Sequence, residues 1–159
     1  MTRPMTSRVT EASADEPIQA APNLQTHMGD RGNIAIKQPD GQYLWIYSHG
    51  RGTELPAYVQ NGIRLGHKRA DDVPYFNRCI LTETIGHAEE GDPTGWGVGF
   101  EAGDNEHEII LIEPADRRVS IVSKTGYFND DWKIEKARVL MSFTFDQYYA
   151  LPPDSLPET

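Results

Sequence analysis

The stretch SHGRGTE, residues 48 to 54, gathers the strongest local chemistry in the chain. A strand that ends in Gly-Arg-Gly ahead of a helix N-cap leaves backbone N–H groups near the positive end of a helix dipole. The Arg51 guanidinium and the Thr53 hydroxyl stand beside them. Such a set can hold a phosphate or a carboxylate. It lacks the longer loop and the lysine of a P-loop, and Glu54 in the first turn competes with a bound anion. The plainer alternative is a strand-to-helix turn carrying an exposed arginine.

His49, Arg31, Asp30, Asp104 and Glu106 could join that site only if their loops meet at one edge of a sheet. Histidines stand at 27, 49, 67, 87 and 107, without HxH, without HExxH and without a cysteine at ligand spacing. No metal and no cofactor is expected. In DNEHE, residues 104 to 108, a strand would set Asp104, Glu106 and Glu108 on one face, but a solvated hairpin tip is the commoner use of such a run. Nothing reads as a nucleophile: GxSxG and SxxK are absent, and Ser48 and His49, as strand neighbours, point to opposite faces.

A second candidate surface is aromatic. In YLWIYSH, period-two alternation sets Tyr43, Trp45, Tyr47 and His49 on one face if Leu44 and Ile46 pack inward. Gly95, Gly97 and Gly99 could share that face, provided Trp96, Val98 and Phe100 point to the core. Glycines beside large rings leave a shallow platform for a planar ligand, or let aromatics close across strands. Monomers seldom leave such a surface bare. Two covers are expected: the C-terminal aromatics Phe143, Phe145, Tyr148 and Tyr149, or another molecule, for which tyrosine, tryptophan and arginine are favoured anchors.

The elements that must position these groups belong to one domain. A chain of 159 residues is long enough to bury a conventional core. With 24 acidic against 15 basic residues its formal charge is −9, which repels phosphate backbones and argues against sequence-general nucleic-acid binding. The single cysteine, Cys79, allows no intramolecular disulfide and reads as a buried thiol on a helix. The longest aliphatic run, Ile109 to Ile112, is too short to cross a membrane, so a cytoplasmic protein is expected.

Residues 1–27 contain no Phe, Tyr or Trp and are expected to form a disordered tail. The folded unit is expected over 28–151, with 152–159 as a loose end. Within it, the spacing predicts strands at 33–37 and 43–49 around a Pro39-Asp40-Gly41 turn, then two helices. The first is expected to start at an N-cap Thr53, with Leu55, Tyr58, Val59, Gly62 and Ile63 on one side. The second starts at Asp71 or Asp72, with Val73, Phe76, Cys79 and Ile80 inward. Strands follow around 96–100, 107–113 and 118–123, then the polar loop KTGYFNDDWKIEK, a last strand at 139–145 and a short helix capped by Asp146. The order ββααβββ(β) predicts an α+β fold, an antiparallel sheet of five to six strands with two helices on one face.

MGDRGN at 28–33, YLWIYSHGRGTELP at 43–56, DDVPYFNRCI at 71–80 and GWGVGFEAGDNEHEIILIE at 95–113 carry a resemblance. The chain is similar to an uncharacterised family of small bacterial and bacteriophage proteins. Its members share a Met-Gly-Asp-Arg start, a tyrosine-rich strand ending in histidine, a Glu-Leu-Pro helix opening and a Gly-Asp-Asn-Glu turn. The resemblance implies a domain beginning near Met28 and a phage or prophage setting, and it implies no activity. Where such proteins usually carry Trp after the strand histidine, this chain has Gly50 and Arg51.

Together these features predict a non-enzymatic interaction protein. It would bind a host or phage protein, or itself, through Tyr43, Trp45, Tyr47, His49 and the Arg51 loop. The alternative is a nucleotide or phosphate binder, or a phosphoester hydrolase, that cradles its anion on Gly50 to Thr53 with His49, Arg31 and Asp104 nearby.

Overall fold

The computed structural model describes residues 29–87 and 95–159. The tail expected over 1–27, Met28 and most of the Gly91–Gly95 turn lie outside them. The strands are β1 (Gly32–Lys37), β2 (Tyr43–Ser48), β3 (Trp96–Gly99), β4 (Ile109–Glu113), β5 (Arg118–Val122) and β6 (Val139–Thr144). The helices are α1 (Leu55–Gly66), α2 (Val73–Thr84) and the short α3 (Phe145–Tyr149). The fold is α+β, a six-stranded sheet in the order β3-β2-β1-β4-β5-β6.

The sheet is mixed rather than wholly antiparallel. β1 and β4 run parallel at its centre, Ile34 opposite Ile110 and Ile36 opposite Ile112, and the remaining neighbours are antiparallel. The reason lies in β3. It returns beside β2 at the far edge, so the chain crosses the sheet through residues 100–108 before β4 can pair, and it arrives pointing the same way as β1. The Ile109 to Ile112 run is buried on both faces, as a central parallel strand requires.

On one face Ile34, Ile36, Ile46, Ile110, Ile112, Val119 and Ile121 pack beneath Leu55, Val59 and Ile63 of α1 and Phe76 and Ile80 of α2. The helices approach closely because Gly62 has no Cβ; one placed there would lie 2.7 Å from the Ile80 Cδ1. Asp72 caps α2, its carboxylate accepting from the Tyr75 N–H. α3 is capped by Thr144, not Asp146. The Thr144 hydroxyl accepts from the Gln147 N–H while the Gln147 side chain accepts from the Thr144 N–H, a reciprocal capping box.

The segment 152–159, expected to be loose, is tied down. Leu156 packs on the helix-side core, Pro157 is buried, and the Thr159 hydroxyl donates to the Gly52 carbonyl at 3.3 Å. Upstream, the buried Gln60 amide donates to the carbonyls of Tyr148 and Leu151, holding the chain where it leaves α3.

Candidate functional site

The strand-to-helix junction is built differently from the sequence expectation. A 3₁₀ turn at Gly52–Glu54 precedes α1, which begins at Leu55, and Thr53 does not cap it. The Thr53 hydroxyl donates to one carboxylate oxygen of Asp30 at 3.0 Å, and its N–H donates to the other at 2.9 Å. The Gly52 N–H donates to the Asp30 carbonyl at 2.8 Å. An anion does sit on this turn, and it is the chain's own Asp30. Arg51 turns back to Glu54 at 3.1 Å and to the Tyr58 hydroxyl at 3.2 Å, and its pKa is raised chiefly by the Glu54 hydrogen bond.

Asp30 finds its histidine in His107, not His49. The Nε2 of His107 lies 2.6 Å from Asp30 Oδ1, and its Nδ1 lies 2.6 Å from the Thr159 carbonyl oxygen. Both side chains are largely buried, at 13 % and 15 % exposure. Gly52 makes room for the ring, since a Cβ there would lie 2.3 Å from His107 Cδ2. Thr53, Asp30 and His107 superficially suggest a nucleophile relay. In a relay the base contacts the nucleophile, whereas here the carboxylate stands between hydroxyl and imidazole and both ring nitrogens already face acceptor oxygens. This arrangement fastens three loops together and leaves no ring nitrogen for a substrate.

Arg31 extends the knot. Its guanidinium pairs with Asp104 and, at 3.1 Å, with Glu106, whose carboxylate also accepts the Arg31 N–H. The Glu106 hydrogen bond is the main cause that raises the Arg31 pKa. The buried Asn33 amide donates to the Asp104 carbonyl and to Asn105, and its oxygen accepts from the Gly103 N–H. Residues 29–33 and 103–107 are thus stitched to each other. Asp104 and Arg31 meet there, while His49 stands apart: it is exposed at the end of β2, its Nδ1 3.0 Å from the Tyr47 hydroxyl. Among the described residues no group of His, Cys, Asp and Glu is arranged to hold a metal ion.

The aromatic face exists, but most of it is covered. Tyr43 and Trp45 lie side by side with ring centroids 6.4 Å apart, and so do Tyr47 and His49. Trp45 is buried in a second core with Ala35, Ile109, Leu111, Val122 and Ile134, against which Tyr127, Trp132 and Ala137 pack. The cover is therefore the loop between β5 and β6, and the C-terminal aromatics lie on the opposite face. β6 sets Phe143 opposite Val119, which faces the helices, so α3 continues on that side and Phe145 stacks on Phe76 at 5.2 Å. Tyr127 donates its hydroxyl to the Gly103 carbonyl, and burial pushes its pKa up to about 12.

What stays open is the Tyr47 end. β3 lays Gly97 against Tyr47 and Gly99 against Trp45, leaving a shallow groove of about 210 Å³. Gly97 and Gly99 do share the aromatic face, although the condition set for it, that Trp96, Val98 and Phe100 point to the core, is not met in full. Trp96 packs beside Tyr58, centroids 6.0 Å apart, but Val98 is 48 % and Phe100 71 % exposed, because β3 is an edge beyond the reach of the helices. No helix among the described residues is long and apolar enough to cross a membrane. Comparison with family models, with curated proteins and with solved structures finds no match.

Proposed function

We propose that this protein is a non-enzymatic interaction module that holds an extended segment of another protein as an added strand on β3. The observation that carries the reading is the state of that edge. Among the described residues β3 pairs only with β2, its Trp-Gly-Val-Gly-Phe stretch carries no charge, and Val98 and Phe100 are exposed. Sheets usually blunt an edge with lysine, proline or a bulge, because its unpaired N–H and C=O groups template another strand. A strand added here gains main-chain hydrogen bonds, and its alternate side chains meet the glycine floor beside Tyr47.

The fold does not demand those glycines. A Cβ on Gly97 would make ordinary contact with Tyr47 at 3.6 Å, and one on Gly99 would meet nothing nearer than 4.0 Å. Their smallness serves the groove. The anion-site alternative is less favoured, because Asp30 occupies the Thr53 N–H and hydroxyl and Arg31 is paired with Asp104 and Glu106. A bacterial or bacteriophage partner is part of the proposal and rests on the motif resemblance alone.

The test is selection of binding segments from a peptide library, followed by amide-shift mapping on the protein. Perturbation centred on 96–100, abolished by Val98→Pro and by Gly97→Val, supports the reading. Selected peptides that bind both variants unchanged overturn it.

A second reading, self-association, is favoured by the opposite edge. β6 exposes Val139, Leu140 and Met141 in a row, with Arg138 before it and the exposed Asp146 just beyond it. Antiparallel pairing of two copies would set each Arg138 towards the other copy's Asp146, whereas parallel pairing would oppose like charges. Sedimentation that finds a dimer, dispersed by Met141→Lys, would select it; a monomer at every concentration dismisses it.

A further inference from the structure

The loop that covers the aromatic face also forms a cleft of about 510 Å³ on its outer side, lined by Thr125, Asn129, Trp132, Lys133, Lys136 and Arg138 among others. Its charge runs against that of the molecule. The chain carries −9, yet three cations converge here beside a single lining carboxylate, Asp131. Lys133, Lys136 and Arg138 are exposed, and none forms an ion pair or a side-chain hydrogen bond among the described residues.

The backbone explains their convergence. Ile134 is anchored in the core beside Trp45, and a 3₁₀ turn over Ile134–Lys136, closed by the Lys136 N–H on the Lys133 carbonyl at 2.9 Å, sets both lysines on the cleft. The Arg138 carbonyl accepts from the Ser123 N–H at 2.8 Å and brings the third cation alongside. The Trp132 indole N–H is buried with no acceptor, while its ring is fixed edge-on to Tyr127 at 4.9 Å. Trp132 is among the residues lining the cleft, so its indole N–H reports on what enters there.

We infer that this cleft binds the phosphate group of a small phosphorylated molecule. The anion's oxygens are shared among Lys133, Lys136 and Arg138, with Trp132 in the wall of the cleft. Arginine supplies a two-pronged donor and the lysines supply point charges, a combination suited to clustered phosphate oxygens. The site is independent of the β3 edge and differs from the strand-to-helix seat that Asp30 fills.

The test follows the indole N–H signal of Trp132 in ¹H–¹⁵N spectra, assigned by Trp132→Phe, during titration with inorganic phosphate, pyrophosphate and ATP. Pyrophosphate or ATP is expected to move that signal saturably while the Trp96 indole stays in place. Lys136→Gln and Arg138→Gln should each weaken binding about tenfold, the value of roughly one charge-assisted contact. Lys136→Arg should retain it, and unchanged thermal midpoints would show the variants folded. Absence of any saturable shift at millimolar anion, or a shift indifferent to both charge-removing variants, overturns the inference.

Discussion

Thr53 places its hydroxyl and its backbone N–H on the two carboxylate oxygens of Asp30, so one side chain closes the start of the helical layer onto the start of the sheet. The contact is charge-assisted, the Asp30 side chain is largely buried although Thr53 is exposed, and His107 approaches the same carboxylate. Asp30→Ala should therefore cost about 2–3 kcal/mol in urea unfolding, the range for hydrogen bonds to a charged group. Asp104→Ala, which breaks a pair half open to water, should cost below about 1 kcal/mol. Equal losses would mean that the Asp30 contacts are no stronger than surface pairs.

The identity of the cover over Trp45 has its own signature. Trp132→Ala should destabilise the fold by about 2–3 kcal/mol and, in a Trp96→Phe background, shift Trp45 emission to the red. Phe145→Ala should destabilise as well, yet leave that emission in place, because Phe145 stacks on Phe76 across the sheet. A red shift from the Phe145 variant would restore the C-terminal segment as the cover.

Glycines of similar appearance should separate sharply. A Cβ at Gly103 would lie 2.5 Å from the Tyr47 ring, so Gly103→Ala should lower stability by about 1–3 kcal/mol. At Gly97 there is room, and alanine should change the thermal midpoint by no more than a typical surface substitution, within about 0.5 kcal/mol. The comparison needs only two melting curves.

Stability should fall in alkali. Burial raises the Tyr127 phenol to about 12, above its ordinary value near 10 in the unfolded chain. The folded form therefore holds its proton longer. Its contribution is complete below pH 10 and is lost as pH rises from 10 through 12. Tyr148, raised further by burial, acts in the same direction. Urea midpoints measured from pH 8 to 12 should show the decline, and Tyr127→Phe should flatten part of it; an unchanged slope in that variant would remove Tyr127 as a cause.

Periodicity made the elements readable. The alternation in Tyr43 to His49, the apolar side of Val73 to Thr84 and the doubly buried Ile109 to Ile112 run all identify their structures, because each reports a local face. The seam between β1 and β4 was not readable in the same way, since parallel pairing depends on where β3 leaves the chain. Nor was the cover over Trp45: Tyr127, Trp132 and Ile134 are scattered among lysines, asparagines and aspartates, and their average polarity hides three inward side chains. The fastening of Asp30 to His107 joins residues without a shared period. Gly52 is the residue that marks it, explained by the imidazole that a Cβ there would strike.

The central parallel seam also orders the events of folding. β1 and β2 meet through a short turn, and β4 and β5 do the same, so both hairpins can form from neighbouring chain. Ile34 must wait for Ile110, a partner that leaves the ribosome only after both long helices have been made. Contacts so distant in sequence close slowly. During that interval the inner edges of β1 and β4 are the exposed ones, and a nascent chain of this protein is most vulnerable to mispairing at the place that is best protected once it has folded.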